Sequence, residues 1–397
     1  MKQGWTYKQL GEIATFIKDG DWIESKDQSE SGIRLIQTGN IGYGVFKIKD
    51  DKPHYITEET MARLGCTEIF EGDCLVSRLP NPVGRACLIP DIGCRMITAV
   101  DCSIIRFGKD YLPQFFVYYT QSYKYLNSID EKTTGTTRKR ISRKNLEKIQ
   151  IPMPPLPEQE QIVERLDAAF AQIDELKSNS EKQLAEARAL FQSALTQAMQ
   201  PKPGWQEKTL KELSIIAGDY GLSVPSKPFD GVRYLRITDI TEWGELNNEF
   251  VSADISADDN SKEKLEEGDI LFARTGATVG KTLVYKTSFG ECLFAGYLIR
   301  YRLNKKEIMP QFMHYITHSK EYYDWVQSNQ KAAAQPNINA KKYNSYIVRY
   351  PKLSEQESIV AQLDALFARV YELEEINRKT AAECDALKQA LLRQIFE

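Results

Sequence analysis

The segment RTGATVGKT, residues 274–282, places two glycines, a lysine and a threonine in an order similar to a phosphate-binding loop. Such a loop has four residues between its first glycine and its Gly-Lys-Ser/Thr end, so that consecutive backbone N–H groups surround the phosphates, and it leads into a helix. Only three residues intervene here, and the segment TLVYKTSF that begins at Thr282 is β-branched and aromatic, which predicts a strand. The motif is therefore a poor candidate for a nucleotide site.

Other patterns that could support catalysis or bind a metal ion are also missing from the sequence. His314 and His318 share one face of a predicted helix, but no glutamate follows His314 as a metalloprotease motif requires. Asn81 and Pro82 are followed by valine and glycine rather than by the second proline and aromatic residue of an amino-methyltransferase motif. The seven cysteines have no CxxC spacing, which together with their apolar surroundings predicts reduced, packed thiols. We expect no catalytic residue, metal ion or disulfide in this chain.

Length and composition indicate a soluble protein of two or more domains. The 397 residues are 42% apolar and 27% charged, as in ordinary globular proteins. No apolar run approaches the roughly 18 residues of a membrane span, and the first residues lack the apolar core of a signal peptide. We therefore expect a cytoplasmic protein with no membrane partner.

The formal net charge of −3 conceals an uneven distribution. Two segments that are predicted to be long helices, 158–199 and 355–397, contain eight acids against four bases and nine against five, a net charge of −4 each. The remainder of the chain therefore carries about +5, which is where a polyanion would bind.

The chain contains the same pattern twice. The offset between matching segments varies from 196 to 200 in the first part of each half and then stays at 197 through the predicted helix. The clearest pairs are EGDCLVSRLPNPVGRACLI (71–89) with EGDILFARTGATVGKTLVY (267–285), LPQFFVYYTQS (112–122) with MPQFMHYITHS (309–319), and PLPEQEQIVERLDAAFAQIDEL (155–176) with KLSEQESIVAQLDALFARVYEL (352–373). Each half is therefore one globular domain followed by one long helix.

The globular parts are predicted to be β-rich, because short apolar or alternating stretches are separated by Gly, Pro and Asp turns. One helix is expected in each, over 112–129 and 309–327, with a proline near its first turn. The predicted fold class is α+β: two β-rich domains in a pseudo-twofold repeat, each followed by a long helix. The predicted segments are an N-terminal recognition domain (1–154), a first long helix (155–200), a C-terminal recognition domain (201–351) and a second long helix (352–397).

Both long helices show apolar residues at alternating spacings of three and four, the pattern of a coiled-coil seam. Because only QPKPGW separates the first helix from the second domain, the second helix must return antiparallel to the first. The predicted seam residues are Ile162, Leu166, Ala169, Ile173, Leu176, Leu184, Ala187, Phe191, Ala194 and Ala198, and Ile359, Leu363, Leu366, Val370, Leu373, Ala381, Cys384, Leu387, Leu391 and Ile395.

Basic residues are concentrated at equivalent positions of the two domains. Residues 132–148 contain seven lysines and arginines against one glutamate, and residues 331–349 contain four against none. Two similar domains separated by a stiff spacer suit a DNA target with two different half-sites on one face of the duplex. Donor-rich loops would supply the contacts to phosphates and base edges. The predicted DNA-binding residues are Arg78, Asn81, Arg85, Thr136, Arg138 and Lys139 in the first domain, and Arg274, Thr275, Lys281, Gln335, Asn337 and Lys341 in the second.

The two-copy layout, the segment PMPPLPEQEQIVERLDAAFAQID and the segment EGDILFARTGATVGKT resemble the specificity subunits of type I restriction-modification enzymes over essentially the whole chain. The resemblance implies that each domain reads one half of a two-part site in double-stranded DNA. It also implies that the helices set the gap and dock two methyltransferase (M) subunits, which recruit restriction (R) subunits. S-adenosylmethionine, ATP and Mg²⁺ would then be bound by partner subunits and not by this non-catalytic chain. The predicted docking residues are Glu158, Gln159, Ile162, Leu166, Glu355, Gln356, Ile359 and Leu363.

The sequence leaves one alternative open. The acidic helices also suit an adaptor whose β-rich domains bind protein and whose coiled coil assembles a complex without contacting DNA.

Overall fold

The computed structural model describes residues 4–135, 139–255, 264–330 and 336–397. The chain folds into two compact units, a first unit of Met1–Ser180 with Asn377–Glu397 and a second unit of Glu181–Ile376. Each unit therefore contains one half of the repeat and a part of both long helices.

The first unit is built on a four-stranded antiparallel sheet with strand order β2-β9-β6-β7, beside a mixed sheet with order β4-β3-β8-β5 and the pair β1-β10. Its strands within the described residues are β1 (Thr6–Gln9), β2 (Ala14–Asp19), β3 (Ile33–Ile36), β4 (Tyr55–Ile56), β5 (Glu68–Ile69), β6 (Cys74–Ser77), β7 (Ala86–Leu88), β8 (Met96–Thr98), β9 (Cys102–Phe107) and β10 (Gln150–Met153).

The second unit repeats this plan with the sheet β12-β19-β16-β17 and the pairs β11-β20, β13-β15 and β14-β18. Its strands in the part of the chain that the structure describes are β11 (Gln206–Thr209), β12 (Ser214–Tyr220), β13 (Ser226–Pro228), β14 (Arg233–Leu235), β15 (Val251–Ala253), β16 (Ile270–Ala273), β17 (Thr282–Val284), β18 (Cys292–Phe294), β19 (Leu298–Leu303) and β20 (Ile347–Tyr350). Strand β17 confirms that the glycine motif leads into a strand and not into a helix.

Short helices cover the sheets, and two long helices follow the β-rich parts. The helices are α1 (Leu10–Ile13), α2 (Glu58–Leu64), α3 (Pro113–Tyr119), α4 (Tyr123–Glu131), α5 (Arg143–Glu147), α6 (Leu156–Ala198), α7 (Pro310–Thr317), α8 (Lys320–Gln330), α9 (Ala340–Asn344) and α10 (Leu353–Phe396). Helices α6 and α10 are 43 and 44 residues long, which agrees with the two predicted long helices. None of the helices formed by the described residues is long and apolar enough to cross a membrane.

The prediction of a single helix after β9 and after β19 is wrong, because each segment forms two helices. The Oγ atom of Ser122 accepts a hydrogen bond from the Tyr125 N–H (3.3 Å), and Ser319 makes the same contact with the Tyr322 N–H (3.3 Å). These serines start a new helix where the previous one ends, since a serine oxygen satisfies an N–H group of the first turn.

Alternating residues of the central sheets face two separate cores. In the first unit, Cys74 and Val76 of β6 pack toward α3 and α4, whereas Leu75 packs toward β3 and β8. The second unit shows the same division, with Ile270 and Phe272 facing the helices and Leu271 facing the other side. This alternation is the period of two that buries both faces of a strand.

The two long helices run antiparallel within each unit, as predicted. In the first unit, Asp174 of α6 forms an ion pair with Lys388 of α10 (2.6 Å), while Leu166, eight residues earlier, lies in one core with Ile395. In the second unit, Arg188 pairs with Glu374 (2.7 Å) and Phe191 packs on Phe367, with ring centroids 5.5 Å apart.

Two predicted seam residues lie outside the seam. Leu176 is 57% exposed and Leu387 is 50% exposed. Both are surface residues because an α-helix drifts relative to a strict seven-residue repeat, and packing of the helices on the β-rich parts selects other apolar residues.

The four predicted segments do not coincide with the compact units. The last turns of α6 lie in the core of the second unit, and those of α10 lie in the core of the first. Phe396 of α10 packs against Trp5, Phe115 and Tyr119, with ring centroids 5.5 to 6.3 Å apart. Leu195, near the end of α6, lies in the main core of the second unit.

Candidate nucleic-acid interface

In each unit, a hairpin with a glycine in its turn begins with β6 or β16. The loop that follows this strand is held beside the segment that is rich in basic residues. The Ile141 N–H donates a hydrogen bond to the Arg78 carbonyl oxygen (3.2 Å), and the Ile338 N–H donates to the Arg274 carbonyl oxygen (2.9 Å). The structure thus brings together, at equivalent positions, the two loops that the sequence singles out as sources of DNA contacts. We call this region the hairpin face: residues 78–85 with 134, 135 and 139–141 in the first unit, and residues 274–281 with 336–341 in the second.

The glycine of each hairpin turn has a structural role. Gly84 and Gly280 have φ values of 85° and 91°, and a Cβ atom would stand 2.9 Å from the side chain of Ile129 or Val326. Positive φ and close packing against α4 or α8 both require glycine. Tyr125 and Tyr322 donate their hydroxyl groups to the carbonyl oxygens of these glycines (3.0 and 2.9 Å).

Three backbone N–H groups of the phosphate-loop-like motif are already paired within the second unit. The N–H groups of Gly276, Gly280 and Lys281 donate to the carbonyl oxygens of Pro336, Ala273 and Thr278, respectively. Because a phosphate loop needs these donors unpaired, the turn does not form a nucleotide site.

Arg85, predicted to contact DNA, lies inside the first unit and holds the loop together. It is 8% exposed, and its guanidinium donates to four carbonyl oxygens at 2.7 to 2.9 Å. Those oxygens belong to Thr38, Ile41, Leu79 and Pro82. Burial lowers the pKa of the Arg85 guanidinium. This placement corrects the sequence interpretation, since backbone carbonyl oxygens of two separate loops engage nearly all of its donors.

Arg78 and Arg274 occupy equivalent positions but differ in what they contact. Arg78 is 4% exposed, donates to the Val100 carbonyl oxygen (2.6 Å) and pairs with Asp19 (3.3 Å). Burial lowers the pKa of its guanidinium, and the Asp19 carboxylate opposes that shift. Arg274 is partly exposed, and its guanidinium lies 4.9 Å from the centre of the Tyr220 ring. Of this pair, Arg274 is the one placed to meet a ligand.

The remaining predicted DNA contacts that the structure describes lie at or near the surface. Asn81 and Lys341 are exposed, and exposed Lys139 pairs with Asp130 (2.7 Å). Thr275 and Asn337 face each other in an isolated β-bridge that ties the two loops of the second unit. Three further predicted contacts lie outside the described residues: Thr136, Arg138 and Gln335.

Lys281 is half-buried at the edge of a cavity of about 590 Å³ in the second unit. Trp243, His318, Tyr323 and Gln192 also line this cavity. Lys281 is shorter than the equivalent Arg85 and, within the described residues, does not reach the carbonyl oxygens that the arginine engages. In the second unit, the residue equivalent to Arg85 therefore borders a cavity.

The residues predicted to dock partner subunits are mostly engaged within their own unit. Gln159 and Gln356 are fully buried and bind the loop before α3 or α7: each accepts from a backbone N–H (Leu112 at 2.8 Å, Met309 at 2.9 Å). Glu158 and Glu355 accept from the indole N–H groups of Trp5 (2.9 Å) and Trp205 (3.3 Å). The apolar members are also buried, namely Ile162, Leu166, Ile359 and Leu363. A partner would therefore contact other, exposed side chains of α6 and α10.

The sequence analysis missed two aromatic residues at the hairpin face of the second unit. Tyr220 ends β12 beneath Arg274, and Tyr297 is 58% exposed beside it. Each tyrosine takes the place of an acidic residue of the first repeat. A comparison of the two repeats at these positions would have identified both tyrosines.

Comparison with known proteins assigns a class to this arrangement. The family model described as "Type I restriction modification DNA specificity domain" matches twice, over residues 2–186 and 202–383. Because the two matches cover most of the chain, the protein belongs to the family of type I restriction-modification DNA specificity proteins.

Individual relatives agree with this assignment. The chain is 28% identical over 312 residues to the type I restriction enzyme EcoKI specificity subunit of Escherichia coli K12, covering 74% of this chain and 67% of the relative. It is 26% identical, with the same coverage, to the StySPI specificity subunit of Salmonella potsdam.

Solved structures share the fold. A chain from work on complex assembly and conformational transition of the type I R-M system superposes with a TM-score of 0.75 at 20% identity, covering 99% of this chain and 98% of that one. The HsdS subunit from Thermoanaerobacter tengcongensis gives a TM-score of 0.58 at 21% identity, covering 100% and 97%.

Proposed function

We propose that this chain is the DNA-recognition subunit of a type I restriction-modification complex and that each unit reads one half of a two-part DNA site. The observation that carries the proposal is the repeated hairpin face. In both units, a backbone hydrogen bond from Ile141 or Ile338 holds the basic segment against the loop that carries Arg78 or Arg274. A fixed pair of polar loops can present donors to base edges and phosphates in a single register.

The charge distribution supports DNA as the ligand. Outside the acidic segments 158–199 and 355–397 the chain carries a net charge of about +5, and the basic segments are placed at the hairpin face. Phosphate contacts from such segments supply affinity that depends on salt but not on sequence. Two similar but non-identical faces would then read two different half-sites.

The chain is proposed to be non-catalytic and to act with partners. The named relatives are specificity subunits of restriction enzymes, which supports methyltransferase subunits, and restriction subunits joined through them, as partners in the cytoplasm. S-adenosylmethionine, ATP and Mg²⁺ would be bound by those partners. Within the described residues, no group of three or more His, Cys, Asp or Glu side chains is arranged to hold a metal ion.

A selection experiment tests the proposal. The chain is purified with its methyltransferase subunits and allowed to select from a randomised duplex library, with the methyltransferase subunits alone as the control. We expect enrichment of two short sequences separated by a fixed gap. A complex that assembles but enriches no sequence would instead identify the chain as a coiled-coil adaptor.

A further inference from the structure

The environments of Arg78 and Arg274 differ at two equivalent positions. Strand register places Asp19 beside Arg78 in the first unit and Tyr220 beside Arg274 in the second. The Arg78 N–H donates to the Asp101 carbonyl oxygen (2.9 Å), and the Arg274 N–H donates to the Tyr297 carbonyl oxygen (3.1 Å). The first repeat thus has aspartates at both positions where the second has tyrosines.

In the first unit, these acids neutralise the nearby arginines. Asp19 pairs with Arg78 (3.3 Å), and Asp101 pairs with Arg140 (2.9 Å). A guanidinium whose terminal nitrogens are buried and paired with a carboxylate and a carbonyl oxygen presents neither an exposed charge nor a free terminal donor to another group. Arg78 is thus a structural residue of the loop.

In the second unit, the guanidinium of Arg274 rests on an aromatic ring instead. It lies 4.9 Å from the centre of the Tyr220 ring, a cation–π distance, and its Nε atom is buried, whereas its two terminal nitrogens make no hydrogen bond to the described residues. Tyr220 is itself fixed, because its hydroxyl accepts a hydrogen bond from the Ala340 N–H (3.0 Å). The ring therefore holds the plane of the guanidinium while leaving its donors available.

Arg274 also lines a cavity of about 640 Å³ that suits a flat, acceptor-rich group. The other polar lining residues are Tyr297, Tyr234, Arg236, Ser223, Ser226 and Thr238. No acidic residue belongs to this lining within the part of the chain that the structure describes. Arg236 is already paired with Asp239 (2.7 Å). Of the two arginines in this lining, Arg274 is therefore the one whose guanidinium is not paired with a carboxylate.

A planar, positioned guanidinium is the group that recognises guanine, whose O6 and N7 atoms accept two parallel hydrogen bonds. A guanidinium also binds a phosphate through two parallel hydrogen bonds, and the salt dependence and sequence preference of binding distinguish that ligand from a base. We propose that Arg274, supported by Tyr220 and flanked by Tyr297, reads a guanine in the half-site bound by the second unit. This inference rests on the proposed DNA-recognition function and adds the base identity and the unit in which it is read.

The test compares the sequences selected by complexes of the methyltransferase subunits with the wild-type chain, with Arg274→Ala and with Arg274→Lys. We expect the preference for guanine at one position of one half-site to fall by about 10- to 100-fold in both variants. The other half-site and the gap should remain unchanged, which also shows that the variant chain is folded and assembled.

Two substitutions of Tyr220 test whether its ring positions the guanidinium of Arg274, without altering Arg274 itself. Tyr220→Asp introduces the acid of the first repeat and should abolish the guanine preference by pairing with Arg274. Tyr220→Phe keeps the ring but loses the hydrogen bond from the Ala340 N–H, and should retain far more of the preference than Tyr220→Asp.

Two other outcomes are distinguishable. If Arg274→Ala weakens binding equally for all sequences and lowers the dependence of log K on log salt by about one ion, Arg274 binds a phosphate and the inference is overturned. If the wild-type complex itself selects no two-part sequence, the proposed function fails, and this is seen without any variant.

Discussion

Arg85 and Lys281 follow the same glycine turn in the two repeats, and side-chain length and donor number decide what each contacts. The arginine reaches four backbone carbonyl oxygens and fills its site, whereas the lysine stops at the edge of a cavity. Two residues that look interchangeable in an alignment of the repeats therefore have different effects on stability.

We predict that Arg85→Ala destabilises the first unit by about 2 to 4 kcal/mol, because it leaves buried carbonyl oxygens without donors. Lys281→Ala is the matched control and should change stability by less than about 0.5 kcal/mol. Hydrogen exchange of β6 and β7, compared with β16 and β17, measures each effect locally. Equal protection of β6 in the wild type and Arg85→Ala would contradict the assignment.

Half-buried His314 and buried His318 lie next to each other in α7 and the turn after it, with ring centroids 4.3 Å apart. The His318 ring stacks on Trp243, and its two nitrogens lie 2.8 Å from the His314 carbonyl oxygen and 2.9 Å from that of Glu242. Burial lowers the pKa of both imidazoles, and their mutual repulsion when protonated lowers that of His314 further. His314 is therefore packed as a neutral group, whereas the two carbonyl oxygens beside the His318 nitrogens oppose the effect of burial on the His318 pKa.

We predict that the second unit loses stability as the pH falls below about 6.5, the pKa of an unfolded histidine. Below that pH the unfolded chain binds more protons than the folded chain, so the free energy of unfolding decreases. His314→Val introduces the residue of the first repeat, Val117, and should reduce this pH dependence. Urea unfolding at pH 7.5 and 5.5 measures the free energy of unfolding. An identical decrease between these pH values in wild type and His314→Val would show that His314 does not cause the pH dependence.

At the scale of elements, the Glu-Gln pair in the first turn of each long helix joins that helix to its own β-rich domain. The Gln356 amide donates to the carbonyl oxygens of Glu307 (2.9 Å) and Pro351 (2.8 Å) while its oxygen accepts from the Met309 N–H. Gln159 makes the same three contacts with Asp110, Pro154 and Leu112. The repeated motif is thus explained by internal packing.

We predict that Gln159→Ala costs about 2 to 3 kcal/mol, since three buried hydrogen bonds are lost and their backbone partners are left unsatisfied. Gln161→Ala, two residues later on the exposed side of α6, is the control and should be nearly neutral. Denaturant unfolding of both variants decides the point, and a neutral Gln159→Ala would return this glutamine to the list of candidate docking residues.

Sequence reasoning predicted the elements better than the site. The 3.6-residue periodicity identified α6 and α10, and the β-branched residues after Lys281 identified β17, because both signals are local. Arg85 could not be recognised as a buried residue, since its four carbonyl partners come from loops 3 to 47 residues away. The break between α3 and α4 depends on a single serine cap, which the continuous apolar pattern concealed.

At the scale of the whole molecule, both long helices continue from one unit into the other. The units divide α6 after Ser180 and α10 after Ile376. An insertion at these two positions would lengthen the connection without altering either hairpin face.

We predict that inserting one heptad after Ser180 and another after Ile376 lengthens the gap between the recognised half-sites and leaves the half-site sequences unchanged. Seven helical residues span about 10 Å, comparable to the axial length of about three base pairs. Sequencing of methylated sites, or library selection, would report the gap. A chain with a heptad inserted in α6 alone controls for mismatch of the two helices, and an unchanged gap in the double insertion would show that the helices do not set it.

The packing of Phe396 on Trp5, with ring centroids 6.3 Å apart, brings the first and last described elements of the chain into one core. A short linker could join these ends, and new ends could be opened between Ala198 and Gln206, in the connection from α6 to β11. Such a circular permutant would keep both cores intact. In such a chain the second half of the repeat would precede the first along the polypeptide, with the packing of each half unchanged.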